Sequence, residues 1–295
     1  MRKTTRLKQL IEAPELLVMP GCFDAMSARL VEQSGFPAAQ CSGLGITAAH
    51  LGLPDYSMLG MTDMAACTAR IAAAVDIPVM ADGDTGFGNA VNVWHTVRAF
   101  ERAGAAGINL EDQVMPKRCG HLDGKQVVSL EEGVAKIAAA ADARIDKDFV
   151  INARTDTLAT HGIDEVIRRG NAYLAAGATM IFIDGLDSEQ SLAKAVKAIA
   201  GPVAINLVPG GKSPTIPLSR LQELGVARVS LPGVCLHAAI VAMQRALADV
   251  RAHGGVTSNQ ESRREFLEVH SLFGMDCVYE LERRYLAPLA EQAAQ

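Results

Sequence analysis

Eight short apolar runs, each followed by a longer stretch of amphipathic pattern, constrain this chain more than any other feature. The runs occupy 16–21, 38–42, 78–82, 107–111, 149–154, 180–184, 203–206 and 228–232. Runs of this length suit strands buried on both faces and are too short for helices. Between them lie helical patterns such as 91–103, 131–144 and 164–176. Gly35, Gly104, Gly177 and Gly225 each stand just ahead of the next run, where a left-handed cap ends a helix. Eight strand–helix units in this order predict an α/β fold, a (β/α)8 barrel of the TIM type. A doubly wound parallel sheet is the alternative that strand count alone leaves open. The barrel domain is expected over 1–255. The remainder, 256–295, reads as a helical arm with helices at 261–267 and 278–286, packed on a neighbouring subunit or on its own chain.

Composition narrows the functional classes. A chain of 295 residues, 49% apolar, can bury one large core. Its formal charge is -5 and it has no long run of like charge, so neither nucleic acid nor a membrane surface is an expected partner. Cys22, Cys41, Cys67, Cys119, Cys235 and Cys277 are irregularly spaced, with no CxxC pair. That argues against a zinc site or a disulfide framework and fits reduced thiols in a cytoplasm. The basic start, MRKTTRLKQLIEAPE, lacks the apolar core of a signal peptide. No segment is apolar for long enough to span a bilayer.

Polar residues gather at one end of the runs. Ser42, Asp82, Asp84, Glu111, Arg154, Asp184 and Asn206 all fall at or just beyond C-terminal ends, and in a barrel those ends converge on the rim that carries active sites. The segment Ala81-Asp82-Gly83-Asp84-Thr85-Gly86-Phe87-Gly88-Asn89 supplies two aspartates, Glu111-Asp112 closes the next run, and Asp55 lies in Leu51-Gly52-Leu53-Pro54-Asp55. Oxygen ligands from several loops, without histidine or thiol, suit Mg2+ or Mn2+. Turn aspartates that cap helices are the plainer alternative. Gly43-Leu44-Gly45 and Gly86-Phe87-Gly88 make no GxGxxG fingerprint. They let backbone amides approach a substrate carboxylate, or are ordinary tight turns.

The loop 113–129 is long for a barrel connection and reads as a lid. Within it, Pro116-Lys117-Arg118-Cys119-Gly120-His121 sets a thiol among cations and a histidine. Nearby positive charge favours thiolate, so Cys119 can exchange a proton near neutral pH. His121 tunes that thiol or caps the loop. Arg154 can clamp a carboxylate bidentately, a structural salt bridge being its competing role. Met58, Met61 and Met64 read as core, and Trp94 and His95 as packing or surface residues.

Together these motifs, from about Pro20 to Pro232, resemble the isocitrate lyase/phosphoenolpyruvate mutase superfamily. The Lys117-Arg118-Cys119-Gly120-His121 loop is similar to its lyase branch, the 2-methylisocitrate and 2,3-dimethylmalate lyases. The run from Asn206 through Gly210-Gly211-Lys212-Ser213-Pro214 leans toward the dimethylmalate type. The resemblance implies a barrel whose last helix is exchanged between subunits, usually in a homotetramer. It implies Mg2+ near Asp55, Asp82, Asp84 and Glu111, with Asp82 as direct ligand and water between the ion and some of the others. It implies a small 2-hydroxy carboxylate substrate held near Ser42, Gly43, Gly45, Gly120, Arg154, Asp184, Asn206 and Arg263, with Cys119, Lys117, His121 and Arg154 as the catalytic set. The reaction so implied breaks the C2–C3 bond, leaves a 2-oxo acid such as pyruvate at the metal, and has Cys119 protonate the departing enediolate. Oxaloacetate hydrolysis or decarboxylation, or cleavage of a phosphonate P–C bond, is the alternative within the same family. Some positions depart from the family pattern. Gln40 stands where a tyrosine is usual, Asp184 where a glutamate is, Gly83 where an alanine is, and Pro209 where methylisocitrate lyases carry an acid. Pro232 resembles the lyases rather than the oxaloacetate hydrolases, which tend to have serine.

Overall fold

The computed structural model describes residues 1–118, 124–211, 213–255 and 266–286. The eight apolar runs form eight strands: β1 (Leu17–Cys22), β2 (Ala39–Cys41), β3 (Val79–Asp82), β4 (Gly107–Glu111), β5 (Val150–Thr155), β6 (Met180–Ile183), β7 (Val203–Asn206) and β8 (Arg228–Leu231). Each pairs in parallel with the next, and β8 closes on β1 through Leu17↔Arg228 to Pro20↔Leu231. Closure decides for the barrel over the open sheet. The four glycines read as helix ends all take positive φ.

Side chains along a strand alternate between faces. The outward set, including Val79, Ala81, Ile108, Leu110, Ile151 and Ile181, packs in one core with the surrounding helices. The inward set starts apolar. Met19, Ala38, Met80, Val150, Met180 and Ala204 share a separate cluster with Leu7 and Ile11 of the helix Lys3–Glu12. That helix plugs the N-terminal end of the barrel. Two residues further along, the inward positions are Gln40, Asp82, Asn109, Asn152, Asn206 and Ser230. Two more bring Ser42, Asp84, Glu111, Arg154 and Asp184. The barrel interior therefore runs from oil to amide to charge over about four residues of strand, roughly 13 Å. Burial of the apolar end holds the charged end in place.

Arg228 breaks this gradient. It is fully buried among the inward residues, with Nη2 donating to Gln40 Oε1 (3.0 Å) and Ser230 Oγ (2.9 Å). Its guanidinium lies 5.5 Å from the Phe182 ring centre. Nε and Nη1 have no partner, and burial lowers the group's proton affinity.

Contacts divide the chain into two units, 1–237 and 238–295. The division lies inside the helix Val234–His253, ahead of the 255/256 boundary expected from the sequence. In the second unit the helices Phe266–Leu272 and Met275–Tyr285 are described. The latter covers most of the helix expected at 278–286, whereas most of 261–267 lies outside the described residues. Val241, Leu247, Val250, Val278, Leu281 and Leu286 are exposed. Met64 is buried, but Met58 is 47% exposed. Met58 precedes the helix Met61–Ala74, so helical spacing does not apply to it and the core assignment fails there.

Gly21 faces inward where β1 meets the end of β8. A Cβ there would stand 2.3 Å from the Pro232 carbonyl oxygen, a backbone atom with no rotamer to yield. Gly21→Ala is expected to cost about 1–3 kcal/mol in urea unfolding. Gly60→Ala, where the nearest atom is 3.9 Å away, is the control that leaves the midpoint nearly unmoved.

Candidate active site

The rim is organised around two cations. Lys117, buried in the 113–129 loop, places Nζ 2.6 Å from Asp55 Oδ1 and 3.1 Å from Asp84 Oδ1. Arg154, at the end of β5, has Nη1 3.1 Å from Glu111 Oε2 and Nη2 2.6 Å from Asp184 Oδ2. Its Nε and Nη2 also hold Asp156 in a two-point fork, at 2.8 and 3.0 Å. Lys125 Nζ reaches the same aspartate at 2.9 Å. Asn206 Nδ2 donates to Asp184 Oδ1 at 3.1 Å, and Ser230 Oγ donates to Asn206 Oδ1. One connected set of hydrogen bonds thus runs from Arg228, through Ser230, Asn206, Asp184 and Arg154, to Glu111.

Titration follows from burial and these partners. Burial alone would strip protons from Lys117, but Asp84, Glu111 and Asp55 outweigh it and hold its affinity well above the usual lysine value. Arg154 is likewise raised, burial being outweighed by Asp156, Asp184 and Glu111. Both remain cations. Burial pushes Glu111 well up despite Arg154 and Lys117, and pushes Asp84 up to about 6 despite Lys117. At Asp156 burial works in the same direction, yet Arg154 and Lys125 win and its carboxyl is held below the ordinary aspartate range.

Asp82 is held differently. Its Oδ2 accepts from the Gly43 amide (3.1 Å) and its Oδ1 from the Asp84 amide (3.1 Å). Asp84 takes φ 45° to make that turn. A Cβ on Gly43 would lie 2.4 Å from Asp82 Oδ2, so glycine is required for the approach. The carboxylate that the amide meets is therefore the protein's own, whereas the sequence suggested a substrate's. Gly45 departs further from expectation. Its amide goes to Ser42 Oγ (3.2 Å), the cap of the helix Gly43–Leu51, and it is small because Phe23 packs 2.7 Å from where its Cβ would be. It does not line the pocket.

Asp55, Asp82, Ser42, Gly43, Lys117, Arg154, Asp184 and Asn206 wall a common pocket of about 90 Å³. Asp84 and Glu111 stand outside this lining, in contact with Lys117 and Arg154. Cys119, Gly120, His121 and Arg263 lie outside the described residues, as does Lys212. Sequence reasoning missed Asp156, Asn109, Ser230 and His237. Asp156 carried a signal, since in Arg154-Thr155-Asp156 the period of two puts it on the face of Arg154. Lys125 was read only as part of the lid. Asp112, adjacent to Glu111, points the other way, to Thr155, Arg169 and Tyr173.

Among the described residues, no three carboxylates, histidines or thiols converge closely enough to chelate an ion by themselves. Asp55 and Asp82 nevertheless face the pocket, and Asp55, Asp82, Asp84, Glu111, Asp156 and Asp184 outnumber Lys117, Lys125 and Arg154. A hydrated oxygen-seeking dication fits such a wall, because it can keep several waters and take one or two carboxylates.

A closed parallel barrel with a carboxylate-rich pocket at the C-terminal rim defines an enzyme. A family model described as phosphoenolpyruvate phosphomutase matches residues 7–251. The 2,3-dimethylmalate lyase of Eubacterium barkeri is 41% identical over 97% of this chain and 99% of its own. A probable 2-methylisocitrate lyase of Corynebacterium glutamicum is 41% identical over 87% and 83%. A crystal structure of 2,3-dimethylmalate lyase superposes with a TM-score of 0.91 at 33% identity, covering 96% of this chain and 95% of that one. Oxaloacetate acetylhydrolase with 3,3-difluorooxalacetate gives 0.91 at 34%, over 95% and 96%. Phosphonopyruvate hydrolase with oxalate and Mg2+ gives 0.88 at 34%, over 97% and 100%. The chain belongs to the phosphoenolpyruvate mutase/isocitrate lyase superfamily, and it is a carbon–carbon lyase.

The Asp156 carboxylate is completely buried between Arg154 and Lys125. Asp156→Asn leaves both cations short of a counter-charge. It is expected to lower stability by about 3–5 kcal/mol in urea titration, the usual effect of breaking a buried ion pair.

Proposed function

We propose that this enzyme cleaves the C2–C3 bond of a substituted 2-hydroxy di- or tricarboxylate, of the 2,3-dimethylmalate or 2-methylisocitrate type. The products are a 2-oxo acid such as pyruvate and a second carboxylate. The observation that carries the reading is the rim pocket, where Lys117 and Arg154 face Asp82 across a space sized for a compact acid head. Asp82, with Asp55, Asp84 and Glu111 close by, would hold Mg2+ or Mn2+. Such an ion would supply positive charge where the substrate's 2-oxygen carries negative charge.

The chain's residues then divide the remaining work. Lys117 keeps its proton, so it serves as a fixed charge for an anionic substrate and not as a base. Arg154 has Nε and Nη2 on Asp156 and Asp184 and Nη1 on Glu111, so it stiffens these carboxylates and offers an anionic substrate its charge with, at most, the second Nη1 hydrogen. Asp184 sits in the pocket wall on Arg154 and Asn206, and this supports its standing in for the family's glutamate. Gln40 bears no titratable group, and its amide is spent on Arg228, Cys41 and Met80, so the hydroxyl proton leaves by another route. Cys119, with His121 beside it, protonates the departing enediolate from the lid. Arg263 and Gly120 belong to the same substrate set.

The exposed apolar residues of 238–286 favour assembly with further copies of the chain, a homotetramer in this reading. Among the described residues, Cys22, Cys41, Cys67, Cys235 and Cys277 are free thiols, consistent with a reducing compartment such as a cytoplasm. No helix among the described residues is long and apolar enough to cross a membrane.

Likeness to oxaloacetate acetylhydrolase favours a second reading, hydrolysis or decarboxylation of oxaloacetate. A panel of 2-hydroxy and 2-oxo acids with Mg2+ or Mn2+, followed by pyruvate detection, separates the two. Turnover of alkyl-substituted malates or 2-methylisocitrate is expected. Turnover of oxaloacetate or phosphonopyruvate alone reverses the assignment. Cys119→Ala is expected to lower kcat by about 10²–10⁴-fold with KM little changed. A kcat within about threefold of the parent removes the acid role.

A further inference from the structure

A second cavity adjoins the pocket and differs from it in kind. It measures about 430 Å³, against about 90 Å³ for the pocket. Its lining is Leu207, Val208 and Pro209 after β7, Pro214 in the following loop, and Leu231 and Val234 around the end of β8. Val208, Gly233 and His237 line both spaces. The His237 ring stands at the junction, packed where a Cβ on Gly233 would lie 2.8 Å from it. Polar groups in the chamber are sparse. Thr215 sits at its exposed edge, and the buried Ser213 hydroxyl has no partner. Among the described residues, neither lysine, arginine nor any acid occurs in the lining.

We propose that this chamber binds an alkyl arm carried by the substrate beside its carboxylate head, longer than the methyl of dimethylmalate. The inference rests on the reading of the rim pocket as the place for the acid head, and deepens it. The small charged pocket takes the head. The rest of the substrate must leave through the wall formed by Val208, Gly233 and His237, and the space beyond is apolar and several times larger. A methyl group leaves most of it empty, and apolar cavities reward filling. A carboxylate-bearing arm finds no cation among the described lining residues, and burying an unpaired charge is costly. The substrate class is thus an alkyl-substituted 2-hydroxy dicarboxylate, and a tricarboxylate is disfavoured.

Alkylsuccinates test this without turnover, because they lack the 2-hydroxyl that cleavage needs. Succinate and its methyl, ethyl, propyl and pentyl derivatives are titrated calorimetrically into the full chain with saturating Mg2+. Affinity is expected to rise about three- to fourfold per methylene until the chamber is full. Tricarballylate, whose arm ends in a carboxylate, is expected to bind more weakly than ethylsuccinate. Val234→Trp and Thr215→Trp, each checked for folding by thermal melting, are expected to bring the propyl-to-methyl affinity ratio close to one. Absent binding, affinity flat with chain length, tricarballylate binding as tightly as ethylsuccinate, or a chain-length gain that survives both tryptophans would each overturn the proposal. Loss of the lyase reading shows separately, as a chain-length gain in binding with no alkylmalate cleaved.

Discussion

The Arg154 guanidinium is the interaction on which the rim depends. It gathers Glu111 from β4, Asp156 just past its own strand, and Asp184 at the end of β6. Three carboxylates packed this closely repel one another, and burial penalises each of them. A lysine could not replace the arginine, because only the planar fork offers several fixed donors at once. Lys117 does the corresponding work on the other side for Asp55 and Asp84. Arg154 is itself held by burial of the apolar end of the barrel, where Met19, Met80, Val150 and Met180 pack with Leu7 and Ile11. The charged end is thus stabilised by packing that occurs two to four residues earlier on the same strands.

That coupling explains what the sequence made legible. Strand period and strand-end polarity are local, so all eight strands and the rim positions Asp82, Glu111, Arg154, Asp184 and Asn206 could be read directly. Partner choice is not local. Nothing near Arg154 in sequence says that Asp184, thirty residues on, will take its Nη2. Nothing near Gly43 says that the carboxylate it admits belongs to Asp82. Gly45 misled for the same reason, since its smallness answers to Phe23 on the preceding strand–helix connection. Arg228 was hidden because an arginine opening a short apolar run looks like a strand edge facing water. Only closure of β8 on β1 turns that position into the barrel interior.

Arg228 and Gln40 make one exchange of roles. Where the family usually has a tyrosine, this chain has an amide whose oxygen receives the buried guanidinium. The same guanidinium reaches Ser230, and Ser230 reaches Asn206 in the pocket wall. A neutral cradle of amide, hydroxyl and the Phe182 face stabilises a cation less than a carboxylate would, which is why burial dominates its titration. The three groups that surround it, Gln40, Ser230 and Phe182, also line the pocket.

An anionic substrate meets an apparent contradiction at this rim, where carboxylates outnumber cations. A dicarboxylate approaching Asp55, Asp82 and Asp184 unaided would be repelled, and in a low-dielectric pocket such repulsion is strong. A bound dication would offset most of that excess negative charge. Substrate and ion are then linked thermodynamically, each raising the affinity for the other by the same factor. In the proposed reaction, excess acid at the rim is therefore no obstacle to binding acids, since it would make their entry conditional on a bound dication.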